Sequence, residues 1–356
     1  MDARGEQRPA ASRQGSAPPW LDDRRSQWLV DVTEWITDVV AALHLGSLAS
    51  IIPVRERPWG AVLRVTTSDG VMYFKAEGLG ARHEPRILAE LARSSPGLGP
   101  EVLAAEGRRS WLLMADHGKP MWDLLDTVGQ VATLERLLPL YAQMQASSSQ
   151  SVDVWIDAGA PDRRVHLLPD LLDSLLAGEM AGGRLPIDSK QRRAIDMVLP
   201  DFARACEELA TTPWTGALDH GDLHGGNVLV DGSGHRLVDW GDSCVTHPFS
   251  SLFVTYELAV SRFDRADRGA AALRLRDAYL EPWSRDGSSA SLRETFNLAV
   301  WVGYVTRALD FVGMLQNANA ALIREWQGHA VVLLRHWAAA HPLLSHGERF
   351  LAAIEP

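Results

Sequence analysis

Apolar residues recur at helical spacing near the start of the chain. Trp28, Leu29, Val32, Trp35, Ile36, Val39, Val40 and Leu43 share one face, which predicts an amphipathic helix over residues 20–45 that packs on the segment after it. The period then changes from 3.6 to 2. Residues 51–54, 61–66 and 71–74 are runs of β-branched and aromatic residues, the last two joined by Thr67-Ser68-Asp69-Gly70, a hairpin signal. A helix over 84–92 and a buried strand over 111–115 complete a strand-rich first part, and the chain turns at 116–118. Helical patterns follow at 130–146, 168–180 and 188–210, the last opened by Asp188 as a cap. Four more follow at 250–263, 266–279, 292–315 and 320–340. Between these two groups, Val228-Leu229-Val230 and Leu237-Val238 flank Asp231-Gly232-Ser233-Gly234, which predicts a β-hairpin. Residues 1–19 carry no periodic apolar positions and read as a disordered tail. The fold class expected is α+β, divided near residues 115–120.

Composition narrows this picture. A chain of 356 residues with 46% apolar content is long enough for two lobes with separate cores. The net charge of -10 argues against a nonspecific nucleic-acid partner. Two cysteines, Cys206 and Cys244, rule out a disulfide framework or a thiol cluster for zinc, and point to a reducing compartment. No apolar run approaches the ~20 residues that span a bilayer, and no signal-peptide core opens the chain. A cytoplasmic protein without a membrane partner, monomer or homodimer, is the expectation. The 13 tryptophans are read mainly as core packing.

The chemistry concentrates in residues 220–242, HGDLHGGNVLVDGSGHRLVDWGD. The hairpin brings Asn227, at its entry, close to Asp239, at its exit, with Asp222 in the loop before it. Three oxygen-bearing side chains then converge, a donor set suited to Mg²⁺. Asp222 and Asn227 also have the D-x-x-x-x-N spacing with which a kinase catalytic loop sets its base and its metal amide. Singly, each acid or amide reads as well as a turn or cap residue; the set, with His220, Gly221 and His224, reads as a site. Lys75 ends the strand 71–74. A half-buried lysine there needs a carboxylate or a phosphate, and a surface strand end is its plainer alternative. Glu84 is its natural partner, with Glu77 and Glu90 as competitors. Between the first two strands Arg55-Glu56-Arg57-Pro58-Trp59-Gly60 replaces any glycine-rich loop. The Arg57 guanidinium and backbone amides around Trp59 can meet phosphate oxygens there, while Trp59 reads equally as a cover for the lobe's core. Arg163 and Arg164 lie in a turn that reads as a solvated loop, with an anionic partner as the alternative.

At these residues the sequence resembles the aminoglycoside phosphotransferase and choline kinase family. That family's motif is H-G-D-L-H-x-x-N, then a short hairpin, then I/V-D-W or I/V-D-F, and every fixed position is met between His220 and Trp240. The resemblance covers roughly residues 48–337. It implies a two-lobed protein-kinase-like fold, with a small β-rich N-lobe (20–116) and a larger, mainly helical C-lobe (117–356). It implies a kinase that moves the γ-phosphoryl group of ATP or GTP to a hydroxyl of a small-molecule acceptor, with Mg²⁺ as cofactor. Asp222 would accept or orient the hydroxyl proton, Asn227 and Asp239 would hold the metal, and Lys75 fixed by Glu84 would hold the α- and β-phosphates. Met114 and Asp116 would lie at the hinge that reads the base through the backbone. His220 would brace the loop, His224 similarly, and Asp242 would cap a turn or add an acid near the metal. The acceptor would sit between the last helices and the loop, where Glu257, Asp264, Asp267 and Asp310 stand beside Trp301, Tyr304, Arg307, Phe311 and Trp326. An aminoglycoside, a nucleoside or macrolide-like antibiotic and a plain sugar all fit that mixture. A catalytically silent nucleotide-binding module and a metabolic sugar or amino-alcohol kinase remain as alternatives; a metal-dependent hydrolase would need histidine ligands that the pattern lacks.

Overall fold

Period-two alternation builds the first lobe. Strands β1 (Leu48–Arg57), β2 (Gly60–Thr67), β3 (Val71–Glu77), β4 (Val102–Glu106) and β5 (Trp111–Ala115) pair antiparallel in the order β1-β2-β3-β5-β4. One face of that sheet carries Ala61, Leu63, Val65, Met72, Phe74, Ala76, Trp111 and Leu113, all buried against helix α1 (Arg25–Ala42). Helix α1 answers with Trp28, Val32, Ile36 and Val40, the predicted stripe. Burial of each such side chain contributes about 2 kcal/mol. Because successive side chains point to opposite faces, the intervening residues Val62, Tyr73, Lys75 and Met114 turn the other way, into the cleft between lobes. The same rule places Lys75 beside Val62 on one flank and Leu112 on the other. Helix α2 (Glu84–Ser94), entered through Pro85 in its first turn, packs Ile87, Leu88 and Leu91 under the sheet.

The computed structural model describes residues 17–344 except 181–182, 233, 260–261, 263–264, 286 and 317. The expected tail therefore lies mostly outside the described residues. Its last part does not: Pro19–Leu21 forms a 3-10 turn, and buried Trp20 donates its indole N–H to the Arg57 carbonyl at 2.7 Å.

The second lobe is helical. After a short β6 (Lys119–Pro120) come α3 (Met121–Leu124), α4 (Thr127–Ser148), α5 (Val152–Asp157), α6 (Leu168–Ala177) and α7 (Ser189–Ala210). Asp126 caps α4 through the Gly129 amide, and Asp188 with Gln191 forms a capping box on α7. Then β7 (Ala217–Asp219), β8 (Val228–Asp231), β9 (Gly234–Leu237) and β10 (Cys244–Thr246) frame the motif, β8 and β9 as the expected hairpin with β6 beside them, β7 against β10. Helices α8 (Leu252–Ala259), α9 (Arg265–Leu280), α10 (Ser289–Met314), α11 (Ala320–Trp326) and α12 (Gly328–Leu344) close the lobe. The single helix expected over 320–340 is two, divided at Gln327, where the following glycine is a weak helix former. α8 starts only at Leu252, because the 3-10 turn Pro248–Ser251 precedes it. Trp301 stacks on Trp337 in the core of this lobe, with Phe202 edge-on to both. No helix among the described residues is long and apolar enough to cross a membrane.

The fold is thus α+β and two-lobed: a small antiparallel sheet with its helices, then a mainly helical lobe.

Candidate active site

Asp222 owes its position to a loop pinned at both ends. At its start the Asp219 carboxylate accepts from Tyr141 Oη (2.9 Å), Ser251 Oγ (2.6 Å) and the Gly221 amide (3.1 Å). Gly221, at φ 76°, passes so close to Asp242 that a Cβ would overlap its carbonyl oxygen, so only glycine serves there. His220 is fully buried, and burial holds its pKa down. A neutral ring protonated on Nε2 satisfies every contact: Nδ1 accepts from the Asp222 amide (3.3 Å) and Nε2 lies 3.0 Å from the Val238 carbonyl. The histidine therefore ties the loop to the hairpin exit. His224 takes the Gly226 amide on Nδ1 (3.0 Å) and stacks on Trp122 at 4.8 Å, a contact that the bare Gly226 makes room for.

The three polar residues of the motif meet as the hairpin register requires. Asn227 Nδ2 donates to the Asp222 carbonyl (2.9 Å) and reaches its carboxylate Oδ2 (3.2 Å). The Val238 amide bonds the Asn227 carbonyl at 2.9 Å, which sets Asp239 next to Asn227. Asp239 itself holds φ 67°, a left-handed conformation that aspartate tolerates and that is often found at functional positions.

Lys75 sits among three acids. Its Nζ lies 2.5 Å from Glu84 Oε2, 2.6 Å from Glu77 Oε1 and 2.7 Å from Asp239 Oδ1. Of the three glutamates weighed for this role, Glu84 and Glu77 are both within reach, and Glu90 pairs instead with Arg93 on the outer face. Glu84 also accepts the Trp240 amide on Oε1 (2.8 Å), so one carboxylate links α2, β3 and the hairpin exit. Burial disfavours the ammonium, but the carboxylates of Asp239, Glu77 and Glu84 lift the pKa of Lys75 well above its usual value. Burial pushes Glu77 up strongly, whereas in Glu84 the attraction of Lys75 overcomes burial and lowers it. Within the cluster the two glutamates are therefore pushed in opposite directions, Glu77 upward by burial and Glu84 downward by Lys75.

Two arginines complete the electrostatics, and neither role was legible in the sequence. Arg55 Nη2 donates to Asp239 Oδ2 at 2.9 Å. Burial would raise the Asp239 pKa, yet Lys75 and Arg55 together hold it well below the carboxylate range. Arg307, from α10, donates to Asp222 Oδ1 at 3.0 Å. Burial again opposes ionisation, but Arg307 and the neighbouring His224 leave Asp222 at about 2.

Between the lobes lies a cavity of about 450 Å³. Its hinge end is apolar, lined by Val62, Tyr73, Met114, Leu229 and Val238; its other end is polar, lined by Arg55, Arg57, Lys75, Asn227 and Asp239. The shape and polarity suit a planar base followed by phosphates. Asn227 and Asp239 place hard oxygens on one wall of this cavity, with room for further oxygen ligands, and that donor set fits Mg²⁺.

One side chain expected at the nucleotide stands elsewhere. Trp59, in the two-residue turn between β1 and β2, packs edge-on against Trp326 (4.8 Å) and Phe311 (6.1 Å) of the second lobe. A tight turn closed by the Arg57–Gly60 pair leaves its indole no path into the cavity. The Asp116 carboxylate accepts the Gly118 amide at 2.9 Å and so caps the hinge turn. The expected acceptor lining also changes. Asp310 is buried against Arg163 Nε (3.1 Å), while Trp301 and Tyr304 belong to the core. From Ala299 to Val312 every residue of α10 is buried except Arg307 and Phe311, which lie one turn apart on the same face. Asp267 is exposed, and the Glu257 side chain and Asp264 lie outside the described residues.

Residues 60–290 match the model of a family described as the phosphotransferase enzyme family. No curated protein matches the sequence. Among solved structures, a macrolide 2′-phosphotransferase from Brachybacterium faecium is 19% identical, with 84% of this chain and 98% of that one covered and a TM-score of 0.54. A choline/ethanolamine kinase family protein from Mesorhizobium loti is 16% identical, with 90% and 98% covered and a TM-score of 0.58. An aminoglycoside 2′-phosphotransferase-IIIa solved as its GDP complex is 16% identical, with 87% and 99% covered and a TM-score of 0.55. At these identities the likeness is one of fold.

Proposed function

Since the chain belongs to the phosphotransferase enzyme family, we propose that it is a small-molecule kinase that moves the γ-phosphoryl group of ATP or GTP onto a hydroxyl of an antibiotic or sugar-like acceptor. One observation carries the reading. Lys75, Asp239 and Asn227 line the polar end of a single interlobe cavity, with Glu84 bonded to Lys75 and Asp222 to Asn227 behind them.

Phosphoryl transfer asks a protein mainly for positioning and charge neutralisation. The apolar slot takes the purine, and Lys75, Arg55 and Arg57 take phosphate oxygens, work that a glycine-rich loop does in protein kinases. Asn227 and Asp239 would hold Mg²⁺, which when bound would neutralise charge on the nucleotide phosphates. Asp222, ionised well below neutral pH, accepts a hydrogen bond from the acceptor hydroxyl and aims it at the γ-phosphorus. A carboxylate this acidic orients the nucleophile and takes its proton only late, as a loose transition state allows.

The relatives of known structure are named for macrolide, aminoglycoside and choline or ethanolamine acceptors. Next to Asp222 this chain sets Trp122 stacked on His224, with the Arg262 guanidinium 5.0 Å from the Trp122 ring. That wall is more aromatic than acidic, and it favours an acceptor with a planar or sugar face over a strongly polycationic one. A metabolic sugar or amino-alcohol kinase shares every feature except the acceptor. The test is a coupled assay of nucleoside diphosphate release with ATP and with GTP across aminoglycosides, macrolides, nucleoside antibiotics, sugars and choline. Turnover that depends on one acceptor class supports the reading and names the substrate; tight nucleotide binding with no acceptor-dependent turnover favours the silent module.

A further inference from the structure

The carboxylate of Asp222 is gripped from outside the motif. Arg307 lies on α10, far along the chain from the catalytic loop, and its side chain is 15% exposed. One arm of its guanidinium, Nη2, meets Asp222 Oδ1 at 3.0 Å; the other, Nη1, lies 2.7 Å from Asp242 Oδ2. The second oxygen of Asp222 faces Asn227 Nδ2 at 3.2 Å. Each oxygen of this carboxylate thus has its own donor, which removes the two-fold freedom that an aspartate side chain otherwise keeps about its last torsion. A guanidinium is planar and its forks are fixed, so one arm hydrogen-bonded to Asp222 and the other ion-paired with Asp242 define its orientation where a single contact would leave it free to swing.

The helix that carries Arg307 is itself immobilised. Three residues on, Asp310 is paired in the core with Arg163 at 3.1 Å. One turn earlier, Gly303 packs so closely on the Ser250 carbonyl that a Cβ there would approach it to 2.8 Å. Asp242 in turn ends the 3-10 turn Trp240–Asp242, which begins directly after Asp239. Arg307 therefore bridges three parts of the site, the catalytic loop, the hairpin exit and α10, at one guanidinium.

We propose that Arg307, with Asp242 as its second anchor, is a positioning residue for phosphoryl transfer: it fixes the plane of the Asp222 carboxylate so that the remaining lone pairs face the acceptor hydroxyl. The proposal rests on the kinase reading above. It also gives Asp242 a task, which is to hold Arg307 rather than to bind metal or substrate.

The test is a double-mutant cycle on the full chain, read as release of labelled phosphate or labelled product from γ-labelled nucleotide. Arg307→Met should lower kcat on the order of 10- to 100-fold, the cost expected when a reacting group is misplaced by about 1 Å, and leave KM for the nucleotide within about twofold. In an Asp222→Asn background the same change should have no further effect, because Arg307 acts only through that carboxylate. Arg307→Lys, which keeps the charge and loses the fork, should recover part of the loss. Asp242→Asn keeps the guanidinium but slackens it, and it serves where Arg307→Met does not fold; its smaller loss should likewise vanish beside Asp222→Asn. Equal losses in both backgrounds, or none in either, overturn the proposal while wild-type turnover stands. Absence of phosphoryl transfer in the wild type overturns the kinase reading and this inference with it.

Discussion

Replacing Lys75 by methionine is the sharpest perturbation of the network, because it deletes one charge and leaves three. In the folded protein Nζ is within 2.7 Å of oxygens from Glu84, Glu77 and Asp239, and Lys75 is only 4% exposed. Methionine fills a similar volume, so the packing loss is small and the electrostatic loss dominates. Breaking a buried pair by removing one partner costs about 3–5 kcal/mol. Burial already pushes the Glu77 pKa up, so this carboxyl is the readiest of the three to take a proton once Lys75 is gone, which argues for the lower end of that range. For a chain of this length about 3 kcal/mol corresponds to a fall in Tm on the order of 4 °C. The pH dependence is more diagnostic than the size. Without Lys75 the remaining carboxylates repel one another and their folded-state pKa values rise above the unfolded ones. Carboxyls with raised folded pKa values cost nothing at low pH, where both states are protonated, and the cost grows as pH climbs past the unfolded value of about 4.3. The stability gap between Lys75→Met and the wild type should therefore widen from pH 5 to pH 8 in thermal melts, and adding Glu77→Gln should narrow it. A gap that is constant or shrinks over this range would show that Lys75 does not compensate these acids.

The other expectations are simpler. Arg55→Ala, on an exposed strand end, should leave Tm nearly unchanged and weaken nucleotide binding measured by calorimetry on the order of tenfold, the loss of one charge-assisted contact; unchanged affinity would remove Arg55 from the phosphate site. Asp239→Ala should weaken Mg²⁺-nucleotide binding, and chelation of Mg²⁺ should weaken the wild type without further affecting the variant; equal sensitivity of both to chelator would contradict the metal role. His247 is fully buried, accepts the Phe249 amide on Nδ1 (3.2 Å) and is held neutral by burial, its pKa lowered to about 3. Because the unfolded chain binds that proton from pH 6.5 downward and the folded one does not, stability should fall on acidification by about 1.4 kcal/mol per pH unit from this group. Denaturant melts of His247→Asn between pH 7 and pH 5 should show a correspondingly shallower slope, and an identical slope would refute the assignment.

Much of this is legible in the sequence. The change of period from 3.6 to 2 placed α1 and the sheet, since an apolar stripe has to find a matching face, and alternation along β3 turned Lys75 toward the cleft. The hairpin followed from its turn residues, and with it the approach of Asn227 to Asp239. What stayed hidden depends on contacts between distant segments. Nothing local separates Arg55 from Arg57; the β-bulge between Pro53 and Arg55 is fixed by pairing with β2. Arg307, Tyr141 and Asp219 support the loop from other helices and strands, and a single polar residue on an apolar helix carries no spacing signal. An aromatic or an acid near a motif, as Trp59 and Asp310 are, says nothing about whether the lobe behind it has already claimed the side chain.

The measurement that bears most directly on the central assignment compares the wild type with Asp222→Asn, in acceptor-dependent phosphoryl transfer and in nucleotide affinity together. The account predicts turnover lower on the order of a thousandfold or more with affinity nearly intact, since the change removes the group that aims the hydroxyl and spares Asn227, Asp239 and Lys75. Transfer that survives the substitution, or a loss explained entirely by weaker nucleotide binding, would contradict it.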